Sequence, residues 1–160
     1  MKRTVIVLSL LAALFGGASL PACAHVKTNV SPVADVANAG GMIEDSAHAI
    51  LVAAQQGNAT ILASGQPLVS RDALDHVAIA VNKIGHLGLD LGAALNAYNA
   101  AKASGSDTTA QKAAVQLVLA SLNQALIDIG HAIPNQTLAA VDDGVNNILS
   151  ILAQVRGAAL

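Results

Sequence analysis

The hydrophobic and polar positions of residues 33–160 fall into four periodic segments separated by short breaks. In the first segment, Val33 to Gln56, apolar or small residues recur at steps of three and four: Val36, Gly40, Ile43, Ala47, Ile50, Leu51 and Ala54. This spacing puts one apolar stripe on a helix of 3.6 residues per turn. Gly40-Gly41 is expected to loosen the helix and Gly57-Asn58 to end it. The connector that follows, Ala59 to Pro67, is rich in small residues and suits a short apolar turn.

The second and third segments have recognisable helix boundaries. Ser70 is a good N-cap for a second helix that runs to about Lys102 and is the longest of the four. Asp107 or Thr108 can cap the third helix, and Pro134-Asn135 ends it. The apolar stripes are Leu74, Val77, Val81, Ile84, Leu91, Leu95 and Tyr98 in the second helix, and Val115, Val118, Leu119, Leu122, Leu126, Ile129 and Ile133 in the third.

The fourth segment completes the fold prediction. Thr137 caps a helix that ends before Gly157, and its stripe is Leu138, Val141, Val145, Ile148, Leu149, Leu152 and Val155. Amphipathic helices joined by short loops bury their stripes most simply by packing together. The pattern therefore predicts an all-α fold, a four-helix up-down bundle over residues 33–160.

Residues 1–24 have a different pattern, which is typical of an export signal. Lys2 and Arg3 form a short basic start, Thr4 to Leu14 is an almost unbroken apolar run, and small residues follow. This order is that of a secretory signal peptide.

The end of this segment, Leu20-Pro21-Ala22-Cys23, resembles the bacterial lipobox. The resemblance implies a signal peptide of residues 1–22, a lipidated Cys23 as the new N-terminus, and a tether over residues 23–32. Ala24 follows the cysteine instead of aspartate, which resembles an outer-membrane address. The domain is then expected to be anchored in the outer membrane by lipid and to face the periplasm.

A second interpretation of the same residues stays open. Ala22-Cys23-Ala24 matches the A-x-A pattern of ordinary signal peptidase, and cleavage there would release a soluble periplasmic or secreted protein that begins at His25. The cysteine count favours the lipobox, because Cys23 is the only cysteine and cannot form a disulfide within the chain.

Composition excludes some partners. The formal net charge is -2 and only 11% of the residues are charged, so no basic surface is available for nucleic acid. Aromatic residues make up 1% of the chain, and Tyr98 is the only one after the signal segment. Stacking on bases or sugar rings is therefore not expected.

Three glycines lie beside the apolar stripe of the second helix: Gly85, Gly88 and Gly92. Each costs a helix about 1 kcal/mol relative to alanine, which calls for an offsetting gain. Gly88 and Gly92 stand one turn apart and allow another backbone to approach closely. The partner is either the alanine-rich third helix, at Ala113, Ala114, Ala120 and Ala125, or a second copy of the chain.

An Asp-x-x-His-Ala-Ile pattern occurs twice, with Asp45 and His48 in the first helix and Asp128 and His131 in the third. It resembles the ligand pattern of ferritin-type di-metal bundles, with aspartate in place of glutamate. On a helical wheel, Asp45 and His48 lie roughly 180° and 120° from the centre of the apolar stripe. Ligands of such bundles project inward, so this placement argues against a metal centre, and no cofactor is expected.

No motif for attached haem, a nucleophile elbow, a phosphate loop or a zinc protease is present, and we expect a non-enzyme. Two function classes remain besides the metal bundle. One is a structural or protein-interaction role at the bacterial cell envelope, which predicts a filled core and an exposed apolar patch. The other is a helical module for an apolar ligand, which predicts a cavity.

Overall fold

A computed structural model describes residues 38–133 and 138–160 and shows an all-α four-helix bundle, which confirms the predicted fold class. The helices are α1 (Ala39–Ala59), α2 (Arg71–Ala103), α3 (Thr109–Ala132) and α4 (Ala139–Ala159). α1 packs along both α2 and α4, α3 packs along α2, and α3 and α4 meet over a short stretch only. Three of the four neighbouring helix pairs therefore pack extensively, and the α3–α4 pair does not.

Several sequence predictions fall on residues outside the described ranges. These are the signal peptide over residues 1–22, the lipidation site Cys23, the tether over residues 23–32, and the first part of the first predicted helix, residues 33–37. The proposed end of the third helix at Pro134-Asn135 and the Thr137 cap also lie outside them. They remain predictions.

The end of α1 differs from the prediction. Gly57 lies inside the helix, which continues to Ala59, and it is buried. A Cβ atom at Gly57 would lie 2.6 Å from Cγ2 of Val69. Gly57 therefore makes room for the connector as it folds back over the helix, and it does not act as a stop.

The cap of α2 is the predicted one, and at α3 the two predicted residues share the role: Thr108 occupies the N-cap position, and Asp107 before it provides the side-chain hydrogen bonds. The Ser70 hydroxyl accepts a hydrogen bond from the Ala73 backbone N–H at 3.1 Å, as an N-cap should. At α3 the Asp107 carboxylate accepts from the backbone N–H of Thr109 at 2.9 Å and from its hydroxyl at 2.7 Å. Thr108 makes no capping hydrogen bond through its side chain.

α4 buries a face that is rotated from the predicted one. Ile151 is buried and Leu149 is exposed, and the helix continues through Gly157 to Ala159. The cause is Gly144, which is buried against Ile50 of α1. Because the bare backbone of Gly144 lets α1 approach, the buried face of α4 is centred on that side.

The core is apolar throughout the described ranges, where no polar or charged residue is buried. Ile43, Ile84, Leu91, Leu122 and Ile148 are among its fully buried side chains. One buried side-chain oxygen, Oε1 of Gln111, has no hydrogen-bond partner among the described residues. Burial of aliphatic side chains, without buried charge, therefore supplies the stability of the bundle.

The backbones of α1 and α2 approach each other closely at two glycines. A Cβ on Gly40 would lie 2.6 Å from the carbonyl oxygen of Gly88, and a Cβ on Gly88 would lie 3.1 Å from the carbonyl oxygen of Gly40. Gly40 is thus a packing position, although the sequence suggested a loosened helix. The atoms nearest to Gly88 belong to α1, at Gly40 and Ile43, and not to the alanines of α3.

The two other glycines of α2 behave differently. A Cβ at Gly85 or at Gly92 would meet nothing within 4 Å. Neither glycine is therefore required by the packing of the described residues.

This contrast yields a matched pair of variants. We expect Gly40→Ala to lower the free energy of unfolding by about 1–3 kcal/mol, because α1 must move away from the Gly88 carbonyl. Gly85→Ala should raise it by about 0.5–1 kcal/mol, since alanine is the better helix former and its methyl group meets open space. Urea denaturation measures both changes. Equal effects of the two substitutions would contradict the close approach.

The α3 cap predicts a dependence on pH. The hydrogen bonds from the Thr109 hydroxyl and backbone N–H hold the pKa of Asp107 below its ordinary value of 3.8. A depressed carboxyl pKa stabilises the fold above the unfolded value, and this contribution is lost as the pH falls through the folded value. Asp107→Ala should therefore be less stable than the wild type at pH 7, and the difference should shrink below pH 3.8. Denaturation of both proteins at pH 7 and at low pH tests this, and a gap that is independent of pH would argue against the cap.

Candidate functional site

The connector between α1 and α2 is an ordered turn that carries exposed apolar side chains. The backbone N–H of Leu62 donates to the carbonyl oxygen of Gln66, and that of Leu68 donates to the carbonyl oxygen of Thr60, both at 2.8 Å. Ile61 and Pro67 pair as an isolated antiparallel bridge. Gly65 has a φ of 80°, which a glycine adopts without strain. The connector therefore forms a small hairpin, and we refer to residues 60–69 as the connector hairpin.

The connector hairpin is fixed to the bundle at its base. The side-chain amide of Asn58 donates to the carbonyl oxygen of Val69 at 2.8 Å, and the backbone N–H of Val69 donates to the carbonyl oxygen of Gly57 at 3.1 Å. Val69 itself is buried over Gly57. These contacts hold the hairpin against the end of α1.

Three large apolar side chains are exposed at this end of the bundle. Ile61 is 62% exposed and Leu62 is 45% exposed on the hairpin, and Ile79 of α2 is 70% exposed. Ile79 stands off the Val77 and Val81 stripe, on a side of α2 that faces away from the core. Exposed apolar groups are common singly, and a group of them on a fixed element is a candidate contact surface.

A surface groove of about 990 Å³ lies at the same end, between the hairpin, the start of α2 and the end of α3. We call it the connector groove. Its apolar lining consists of Pro67, Leu68 and Val69 from the hairpin, Ala73, Ile79 and Ala80 from α2, and Ala132 and Ile133 from α3. The volume is at the upper end of the range for small-molecule sites.

Four ionisable side chains also line the connector groove: His76, Lys83, Asp128 and His131. Asp128 accepts a hydrogen bond from the Gln124 side-chain amide at 3.0 Å. His76 Nδ1 lies 2.7 Å from the carbonyl oxygen of Asp72, and it must be the donor because a carbonyl oxygen only accepts. Within residues 38–133 and 138–160 the only ion pair is Arg71 with Asp75, so Lys83 and Asp128 are not paired with each other.

The Asp-His pairs from the sequence do not come together. Asp45 and His48 are exposed on α1, and Asp128 and His131 are exposed on α3. α1 and α3 are not packed against one another. In the part of the chain that the structure describes, no three histidine, cysteine or acidic side chains are grouped closely enough to hold a metal ion.

The third helix is also unusually apolar for its length. α3 is long and apolar enough, by length and composition, to cross a membrane, and a third of its 18-residue apolar window is buried in the bundle. Its other face is largely uncharged and includes Leu117, which is 71% exposed. Since α3 packs along α2 and buries Val115, Leu119 and Leu122, it is a bundle helix in this structure.

The sequence interpretation expected a short apolar turn in the connector and singled out Asp128 and His131, but it did not predict a groove or the exposure of Ile61, Leu62 and Ile79. Ile61 and Leu62 lie in a segment without periodicity, where exposure cannot be read from spacing. Ile79 did carry a signal, because it is a large apolar residue off the stripe of an otherwise regular helix.

No protein-family model matches this chain, and neither a curated protein nor a solved structure is detectably similar to it.

Proposed function

We propose that this chain is an exported helical-bundle lipoprotein that acts by contact with another protein of the bacterial cell envelope. In this proposal Cys23 carries the lipid anchor in the outer membrane, the bundle faces the periplasm, and the connector hairpin is the contact surface. The protein acts without catalysis and without a cofactor.

The observation that carries the proposal is apolar surface on a preformed element. Ile61 and Leu62 are exposed, and the hairpin that presents them is held by backbone hydrogen bonds and by the burial of Val69. An ordered element loses little conformational entropy when it binds, so its apolar side chains contribute more of their burial energy to affinity. The apolar core, without buried polar residues in the described ranges, agrees with an interaction protein as well.

The position of the hairpin supports this role. α1 has 21 residues and is about 32 Å long, and the hairpin follows its last residue. An anchor that precedes Ala39 is connected to the opposite end of α1. The hairpin therefore points away from the anchored end of that helix, where a partner can reach it.

Two alternatives use the same bundle. If signal peptidase cleaves after Ala24, the protein is soluble in the periplasm or secreted, and the hairpin keeps its role. The second candidate function is binding of an apolar ligand. The connector groove favours it, because about 990 Å³ with mostly apolar walls is enough for a small molecule.

The anchor is tested by the intact mass of the mature protein from a bacterial membrane fraction, with and without inhibition of lipoprotein processing. We expect a mass that begins at Cys23 and includes added acyl chains, and accumulation of the precursor under inhibition. A mass that begins at His25 would overturn the anchor and place the protein in solution.

The contact surface is tested by a photo-crosslinking amino acid at position 61 in living cells. We expect an adduct of one defined mass with an envelope protein, and its loss when Leu62→Asp is added, because a carboxylate there must be desolvated on contact. Position 149 is the matched control, since Leu149 is also an exposed large apolar residue but lies on α4. The same adducts from both positions would count against a specific surface.

A further inference from the structure

We propose that the connector groove binds a single-chain amphiphile with a zwitterionic head group, of the lysophospholipid class. The inference rests on the second candidate function, ligand binding, and names its ligand. It is carried by the distribution of apolar and charged residues along the groove.

The apolar side chains of the hairpin and the charged side chains of the helices line opposite ends of the groove, with Gln66 and Ser70 also at the hairpin end and His76 and His131 also along the helices. Pro67, Leu68 and Val69 line the end at the connector hairpin. Lys83 is the lining residue of α2 that lies farthest from the hairpin, and Asp128 is the lining residue of α3 farthest from that helix's end. Because α2 leads away from the hairpin and α3 leads towards it, Lys83 and Asp128 share the distal end.

The charges at the distal end are complementary to a zwitterion. Lys83 is available to a phosphate and Asp128 to an ammonium group, since the two form no ion pair with each other. Asp128 retains oxygen lone pairs beyond the bond from Gln124. An anionic head group would be attracted by Lys83 but repelled by Asp128. A cationic head group would be attracted by Asp128 but repelled by Lys83.

The length and the floor of the groove suit one acyl chain. From Ala73 to Lys83 the helical rise amounts to about 15 Å. One leaflet is half of a hydrocarbon core of about 30 Å, so an acyl chain has the same length. Ala73, Ala80 and Ala132 give a shallow floor, and Ile79 is an exposed apolar wall that a chain would cover.

The test uses isothermal titration calorimetry with the mature protein and three dodecyl amphiphiles below their critical micelle concentrations: dodecylphosphocholine, dodecanoate and dodecyltrimethylammonium. We expect the zwitterion to bind best. Lys83→Gln and Asp128→Asn should each weaken it by about three- to fivefold, as the loss of one exposed charge pair does. Lys83→Gln should shift the preference towards the cation, and Asp128→Asn towards the anion.

Two controls separate the possible failures. Lys102→Gln removes an exposed lysine at the other end of α2 and should leave binding unchanged. Decyl homologues should bind about two- to fourfold more weakly per methylene removed, because the chain is buried. Equal affinity for all three head groups, with chain-length dependence retained, would overturn the head-group inference and leave the ligand function standing. No dependence on chain length or on Ile79→Ser would overturn both.

Discussion

The backbone contact between Gly40 and Gly88 is the constraint on which the bundle depends. It sets the distance between α1 and α2, and it brings Ile43 to within 3.5 Å of the Cβ position of Gly88. The register fixed there carries Ile50 to the face of α1 on which Gly144 of α4 packs. Two glycine contacts thus join α4, α1 and α2 into one layer, while α3 is attached mainly through α2. In a chain with almost no aromatic residues, close backbone approach replaces large side chains as the means of filling space.

The same arrangement explains why candidate chemistry is found only at the surface. The core of the described ranges holds no polar or charged residue, so the ionisable groups are distributed over the outside of the helices. Because α3 has one principal neighbour, the end of α3 and the start of α2 are free to form the walls of a groove that the connector hairpin closes at one end. The groove and the exposed hairpin therefore both result from the path of the connector between α1 and α2.

Much of the fold could be predicted from the sequence, and most of the site could not. Residues such as Ile43, Ile84 and Leu122 recur with a 3.6-residue period because one face of each helix is buried. This period can be recognised in the sequence without knowing which helix packs against that face. The roles of Gly40, Gly57 and Gly144 depend on what lies opposite each of them. The sequence therefore suggested breaks at Gly40 and Gly57, where the structure shows contacts, and gave no role to Gly144. Leu149 was assigned to the core for the same reason. The sequence suggested a short apolar turn in the connector, but the exposure of Ile61 and Leu62 could not be predicted, because the connector has no hydrophobic period and its shape is set by hydrogen bonds within it.

The unequal lengths of the helices have a mechanical consequence. α2 has 33 residues and α1 has 21, and Gly88, which Gly40 contacts, lies near the middle of α2. α1 therefore begins beside the middle of α2, and Gly40, which contacts Gly88, is its second residue. A load applied to the start of α1 along the helix axis would shear the Gly40–Gly88 contact. The backbone contact that determines how the helices pack is therefore also the first to resist a pull on the start of α1.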